Sequence, residues 1–357
     1  MGIEKTIRRK SAKGRGTIDN PRNRFEKIEY VPDTEEPDEE VHKPQTEYFN
    51  DTSKTVIAYN CSPDLGGSAS INPYRGCEHG CIYCYARPTH EYLSLSSGLD
   101  FETKIFVKKD MPQLLRKELA SKKWKPQSVM LSGNTDSYQP IEKHLQISRN
   151  CLKVFLDFRN PVGIVTKNYL VTRDIDILSE LAKFNAVGVF LSITTLNNRL
   201  ATVMEPRTSK PHLRLKAIEE LSKAGIPAGV MVAPVIPGLT DEEMPEILKQ
   251  AANAGATRAG YVLLRLPFAL KELFEGWLEK HFPDRKKKIL NRLTQSYNGK
   301  LYDSTFFVRG RGTGVLADQI ANMFRISRIR AGIENRVPPL STAYFRNPDV
   351  KQLSLFE

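Results

Sequence analysis

Between residues 68 and 264 the chain alternates six short apolar runs with longer segments whose apolar residues recur every three or four positions. That alternation limits the folds open to it. The short runs predict strands near Ser68–Asn72, Ser128–Leu131, Val162–Thr166, Ala186–Ile193, Ala228–Val235 and Gly260–Leu264. The longer segments predict helices over Met111–Ser121, Leu145–Phe158, Asp174–Phe184, His212–Ala224 and Asp241–Ala254. Crossovers of this length join parallel strands in a right-handed sense. Six such units favour an α/β fold built as a partial (β/α)6 barrel over a complete barrel of eight, with a doubly wound open sheet as the alternative. In either architecture, reactive side chains belong at the carboxyl ends of the strands.

The flanks read differently. Residues 1–52 carry opposed charge blocks, basic from Lys5 to Arg24 and acidic from Asp33 to Glu40, with few periodic apolar positions. Such a segment buries too little to offset the entropy of ordering and is expected to be a largely disordered arm, within which Asn20-Pro-Arg-Asn-Arg-Phe25 can dock on the core. The barrel is expected over 53–268, a C-terminal helical extension over 269–345 with helices in Lys271–Leu293 and Leu316–Gly332, and a flexible tail over 346–357. No apolar run approaches the ~20 residues that span a bilayer, and the basic start lacks the apolar segment of a signal peptide, so a cytoplasmic protein without membrane association is expected. The net charge of +12 favours a polyanionic partner, nucleic acid first.

The cysteines sharpen this picture. There are five, Cys61, Cys77, Cys81, Cys84 and Cys151, and three of them fall in Arg75-Gly-Cys77-Glu-His-Gly-Cys81-Ile-Tyr-Cys84-Tyr85, directly after the first predicted strand. A short glycine-punctuated loop can wrap three thiolates around three corners of one cubane cluster and leave the fourth iron open. A structural zinc site with His79 or His90 as fourth ligand is the competing reading, but zinc sites usually bring a second cysteine pair and none follows. Cys151 lies mid-helix and reads as a small core residue.

Residues at the predicted strand ends suit a polar ligand. Gly133 allows close backbone approach, and Thr135 and Asp136 offer an acceptor for an ammonium or a donor for a carboxylate, with helix capping as the alternative for Asp136. Ser192 and Thr194 share one face of the fourth strand, for ligand contact or for bonding to backbone. Glu205 and Arg214 form either a charge pair that closes the barrel or a pair that positions a ligand.

The spacing Cys-x3-Cys-x2-Cys with Tyr83 before the last cysteine resembles the signature of the radical S-adenosylmethionine (SAM) superfamily. The stretch from Ser53 through Asn72-Pro-Tyr-Arg-Gly-Cys77, the phrase Cys84-Tyr-Ala-Arg-Pro-Thr-His90 and Gly98-Leu-Asp-Phe-Glu102 are similar to its DNA-repair-photolyase-like members, relatives of spore photoproduct lyase, over about residues 15 to 335. The resemblance implies a [4Fe–4S] cluster on Cys77, Cys81 and Cys84, S-adenosylmethionine on its open iron, an external electron donor such as flavodoxin or ferredoxin, and a 5′-deoxyadenosyl radical that abstracts hydrogen. It implies Tyr83 beside the adenine, Lys167 facing the methionyl carboxylate, and the turn Pro234-Val-Ile-Pro-Gly238 packed on the adenine. The chain departs from the lyase at Gly133, which takes the place of its hydrogen-donating cysteine. Tyr85 matches the tyrosine after the last cluster cysteine and keeps a possible hydrogen relay.

The terminal run Gln352-Leu353-Ser354-Leu355-Phe356-Glu357 resembles the bacterial sliding-clamp-binding motif, with Gln352 in a polar pocket and Leu353, Leu355 and Phe356 against apolar surface. The combined expectation is radical chemistry for repair or modification of DNA, tethered to the clamp. Two competitors remain: a radical enzyme acting on a non-nucleic-acid substrate, and a clamp-associated DNA-binding protein with a structural or redox-sensing cluster.

Overall fold

The structure, a computed structural model, describes residues 12–26, 44–60, 62–64, 69–334 and 338–349. The described residues form ten strands: β1 (Glu47–Asn50), β2 (Ala58–Tyr59), β3 (Ala69–Ile71), β4 (Tyr74–Arg75), β5 (Lys104–Val107), β6 (Val129–Leu131), β7 (Val162–Thr166), β8 (Val187–Ser192), β9 (Ala228–Val235) and β10 (Arg258–Leu263). The helices of the barrel are α1 (Leu99–Thr103), α2 (Met111–Ala120), α3 (Glu142–Leu145), α4 (Ile147–Phe158), α5 (Ile175–Ala182), α6 (Asn198–Met204), α7 (Pro211–Lys223) and α8 (Met244–Asn253). The C-terminal layer contributes α9 (Leu270–His281), α10 (Pro283–Gln295) and α11 (Val315–Arg330).

All six sequence-predicted strands are present. The main sheet runs β10-β9-β8-β7-β6-β3, parallel throughout, with β2 antiparallel on its outer edge. Strand order follows chain order without reversal, which excludes the doubly wound alternative, because that topology needs a switch point. Among the described residues β3 and β10 do not pair, so the barrel is partial. The exposed edge of β10 is instead met by the C-terminal layer, where Leu263 N donates to the Gly310 carbonyl at 2.9 Å.

Burial explains both element types. In β7 and β8 the registered pairs Val162–Val187 and Ile164–Val189 are fully buried. On α4 the buried positions Ile147, Cys151, Leu152, Phe155 and Phe158 recur at helical spacing, so Cys151 is the small core residue its position suggested. Each such aliphatic or aromatic side chain contributes about 1.5–3 kcal/mol through burial. Gly229 is required by packing, since a Cβ there would lie 2.6 Å from the Phe190 ring on the neighbouring strand.

Three features differ from the sequence expectation. A second sheet, β1-β5-β4, lies beside the cysteine loop and was not foreseen, its strands being only two to four residues long. The first 52 residues were expected to form a largely disordered arm, yet their described parts pack on the body: Leu99 N donates to the Asp19 carbonyl at 3.2 Å, and β1 runs parallel to β5. The start of the tail is also fixed, with Arg346 N donating to the Phe158 carbonyl at 2.9 Å and Asn347 Nδ2 to the Ala120 carbonyl at 3.0 Å. Cys61, Ser68, the acidic run Asp33–Glu40 and the motif residues Gln352, Leu353, Leu355 and Phe356 lie outside the described residues. Among the described residues no helix is long and apolar enough to cross a membrane.

Candidate active site

The three cysteines occupy a loop between β4 and the short helix over Arg87–Leu93. Its path is set by backbone bonds: Cys77 N to Phe101 O (2.9 Å), Ile82 N to Met204 O (3.0 Å) and Cys84 N to Cys81 O (3.2 Å). Beneath it lies a fully buried ion pair. Arg87 Nη2 is 2.5 Å from Glu102 Oε1, and the same guanidinium donates to the Cys81 carbonyl through Nε (3.0 Å) and Nη2 (2.9 Å). Glu102 also accepts from Gly16 N (2.9 Å) and Thr17 N (3.0 Å), so the N-terminal segment straps the cysteine loop from outside. Gly16 is obligatory there, because a Cβ would fall 1.7 Å from the Gly80 carbonyl oxygen.

The thiols of Cys77 and Cys81 are buried, and Cys84 is half-buried. All three are free of disulfides. Burial pushes the Cys81 thiol well up and the Cys84 thiol up, while the nearby Lys167 ammonium pulls both the other way. Thiols this far withdrawn from solvent, beside the Lys167 and Arg87 cations, suit iron ligation, in which the metal takes the place of the proton. A cubane accepts its thiolates at three different irons, so the sulfurs need not converge on a point. Among the described residues no three His, Cys, Asp or Glu side chains close on a single ion.

Neither histidine is presented as a fourth ligand. His90 Nε2 lies 2.9 Å from the Lys104 carbonyl, and its ring packs edge-on against Phe101. His79 Nδ1 lies 3.3 Å from Asp136 Oδ2. Burial works against a charged His79, but Asp136 and Cys77 outweigh it and raise its pKa to about 10.

Lys167 follows β7, at the same rim as the cysteine loop. Its Nζ is 3.1 Å from Ser192 Oγ and 5.7 Å from the centre of the Tyr83 ring. Among the described residues no carboxylate forms a salt bridge with it, which leaves a cation available to an anionic group. Ser192 in turn donates to the Ala233 carbonyl at 2.9 Å. Thr194 Oγ1 lies 2.7 Å from Glu205 Oε1 and 3.1 Å from the Tyr83 hydroxyl. Tyr83 donates to Glu205, and Glu205 pairs with Arg214, both of them fully buried. Arg214 also donates to the Ser192 carbonyl (2.9 Å) and the Ser209 carbonyl (2.8 Å). Glu205 and Arg214 therefore hold Tyr83 and the ends of β8 in place from inside, and the charge-pair reading describes them.

The structure brings Tyr83, Lys167, Ser192, Thr194, Glu205 and Arg214 together and gives Thr135 and Asp136 a supporting part. Thr135 donates to the Gly76 carbonyl at 2.7 Å and accepts from Gln139 Nε2 at 3.1 Å. Asp136 accepts from Thr166 Oγ1 (2.7 Å), Lys167 N (2.8 Å) and Tyr138 N (2.9 Å). Burial alone would raise the Asp136 pKa, but His79 and these bonds hold it at about 2. Tyr85 is 47% exposed at the rim, its hydroxyl donating to the Gly133 carbonyl at 2.7 Å. Arg87, Glu102 and the Gly16–Thr17 strap carry no spacing signal, since only the fold brings them under the cysteines.

Comparison with known proteins agrees. Similar proteins include an uncharacterized protein of Mycobacterium tuberculosis (strain ATCC 25618 / H37Rv), 37% identical over 217 residues, which are 60% of this chain and 64% of the relative. The chain thus spans somewhat under two thirds of the length of such relatives. An uncharacterized protein of Acidianus two-tailed virus is 30% identical over 250 residues, 66% of this chain and 82% of that one. Among solved structures, spore photoproduct lyase complexed with dinucleoside spore photoproduct matches with a TM-score of 0.55 at 18% identity, covering 80% of this chain and 78% of that one, which is a likeness of fold. Residues 71–251 match the Radical SAM superfamily. With three free thiols and Lys167 at one rim, this chain belongs to the radical SAM superfamily, whose enzymes use S-adenosylmethionine with a [4Fe–4S] cluster.

Proposed function

We propose that this protein carries out radical chemistry on DNA, as repair or modification, and that its C-terminal motif tethers it to the bacterial sliding clamp. The observation that carries the reading is the rim itself, where Cys77, Cys81 and Cys84, Lys167 over the Tyr83 ring, and the half-exposed Tyr85 gather at the mouth of a lyase-like partial barrel. When bound, the cluster and S-adenosylmethionine supply a 5′-deoxyadenosyl radical. The chain's own residues would hold these groups: the three cysteines would take the irons, Lys167 would face the carboxylate, and Tyr83, steadied by Thr194 and Glu205, would lie beside the adenine.

Two lines favour a nucleic-acid substrate. The net charge of +12 attracts phosphates, and the fold is shared with an enzyme solved with dinucleoside spore photoproduct. The lyase's own relay does not transfer, because Gly133 stands where its terminal donor would be and Cys151 is buried in the core. Tyr85 is the candidate relay from the radical to product. Reduction draws on an external donor such as flavodoxin or ferredoxin.

The test is anaerobic reconstitution with iron and sulfide, followed by dithionite and S-adenosylmethionine, with 5′-deoxyadenosine quantified with and without single- and double-stranded DNA. Turnover that rises several-fold with DNA is expected. Turnover indifferent to DNA would move the substrate to another class of molecule. An intact cluster without any turnover would favour a DNA-binding protein with a structural or redox-sensing cluster.

A further inference from the structure

Arg265 leaves the carboxyl end of β10, the last strand of the barrel, and Tyr85 leaves the loop after the first strands; they meet across the barrel's open side. The Arg265 guanidinium carbon lies 4.7 Å from the centre of the Tyr85 ring. Its Nε is buried without a hydrogen-bond partner, and among the described residues no carboxylate forms a salt bridge with it, Asp64 acting on it only from beyond that distance.

The neighbouring arginine of the C-terminal layer makes the contrast. Arg309 packs over Phe306 and is neutralised, its Nε 2.5 Å from Asp64 Oδ2 and its Nη2 bonded to Ser62 Oγ. The rim around Arg265 is also firmly built: the Tyr297 hydroxyl lies 3.0 Å from the Leu264 carbonyl and 3.2 Å from the Arg309 carbonyl, fixing the strand end against the extension. A guanidinium with a buried, unmatched N–H is less favourable than a satisfied one. The residue as a whole is only half-buried, and a planar guanidinium matches the two oxygens of a phosphate.

We infer that Arg265 is a substrate-binding residue that takes a phosphodiester oxygen of the nucleic-acid strand and sets the reacting nucleotide beside Tyr85. This rests on the nucleic-acid reading above. A strand held there would present one nucleotide to the rim while Arg265 grips its backbone. That arrangement suits a single-stranded or extruded nucleotide, because a base stacked inside a duplex cannot reach a recessed site.

The experiment uses the cluster-loaded full chain and a fluorescent single-stranded oligodeoxynucleotide, with binding followed by anisotropy across a salt series. Arg265→Gln is expected to weaken binding about tenfold near 0.1 M salt and to flatten the dependence of log affinity on log salt by about 0.7, one phosphate for a single strand. Arg265→Lys should restore the slope but only part of the affinity, since a point charge lacks the fork. Lys249→Gln, which removes equal charge from the exposed face of α8, should change affinity less than about twofold. Methylphosphonates placed singly along the oligonucleotide should reveal one linkage whose neutralisation weakens the wild type but not Arg265→Gln. Iron content and visible absorption report whether each variant folds, and Arg265→Lys carries the test if Arg265→Gln does not.

If the wild type binds and every Arg265 variant matches it in affinity and slope, Arg265 does not bind substrate, while the nucleic-acid reading stands. Weakened S-adenosylmethionine binding with unchanged oligonucleotide binding would also overturn the assignment. No salt-dependent binding by the wild type would remove the nucleic-acid reading itself, and this inference with it.

Discussion

His90 shows how one residue ties acid stability to the site. Burial depresses its pKa from 6.5 to about 4, and the ring is held neutral between the Lys104 carbonyl and Phe101. Between those two values the unfolded chain binds a proton that the fold refuses. His90 therefore contributes stability that is complete above about pH 6.5 and lost as the pH falls toward 4. The full span is on the order of 3 kcal/mol. In His90→Gln, whose amide can still donate to the Lys104 carbonyl, the fall in melting temperature between pH 7 and 4.5 should be visibly shallower than in the wild type. Equal slopes would show that His90 does not carry the acid sensitivity. At the same scale, Asp136 shows what sequence leaves open. It was legible as an acid at a strand end, but its partners His79, Thr166 and Lys167 come from three other places in the chain, and only the fold brings them to it.

At the scale of elements, the cysteine loop depends on a strap. Arg87 under the loop, Glu102 at the end of α1 and the backbone of Gly16 and Thr17 form one buried network. Removing one partner of a buried pair leaves the other charge uncompensated, at a cost of about 3–5 kcal/mol. Glu102→Ala is thus expected to lower stability by that amount, read by denaturant unfolding, and to lower iron incorporation as the Cys81 carbonyl loses its anchor. Iron content and stability equal to the wild type would mean the strap is not a support. The helices and long strands were legible because each buries a periodic apolar face over many residues. The short β1, β4 and β5 were not, since two to four residues carry no period and pair only through partners distant in sequence.

At the scale of the whole molecule, the candidate site and the last described residues lie at opposite ends of the strands. The rim with Tyr83, Lys167 and Tyr85 lies at the carboxyl ends of the strands. Residues 338–349 run along the opposite side, where Ser341 bonds to Asn185 ahead of β8 and Arg258, at the start of β10, bonds to the Pro338 carbonyl. Asp349 is held 2.6 Å from Arg116 on the outer helix α2. Leu355→Ala combined with Phe356→Ala should weaken binding to purified sliding clamp by at least about tenfold, as loss of anchor side chains does. Turnover on short free oligonucleotides should stay unchanged. Clamp affinity equal to the wild type would show that the motif does not act as a tether.

By itself the sequence determined the cysteine triad, the parallel strand–helix repeat and the rim residues that follow each strand, because local spacing and periodicity encode all three. The tertiary structure decided what those residues face. It left Lys167 without a carboxylate partner among the described residues and Asp136 fully bonded, buried Glu205 and Arg214 as a support for Tyr83, and set Arg265 against Tyr85 across the barrel's open side. The physical reason is that the charge state and availability of a side chain depend on neighbours brought together by packing, which no local pattern records.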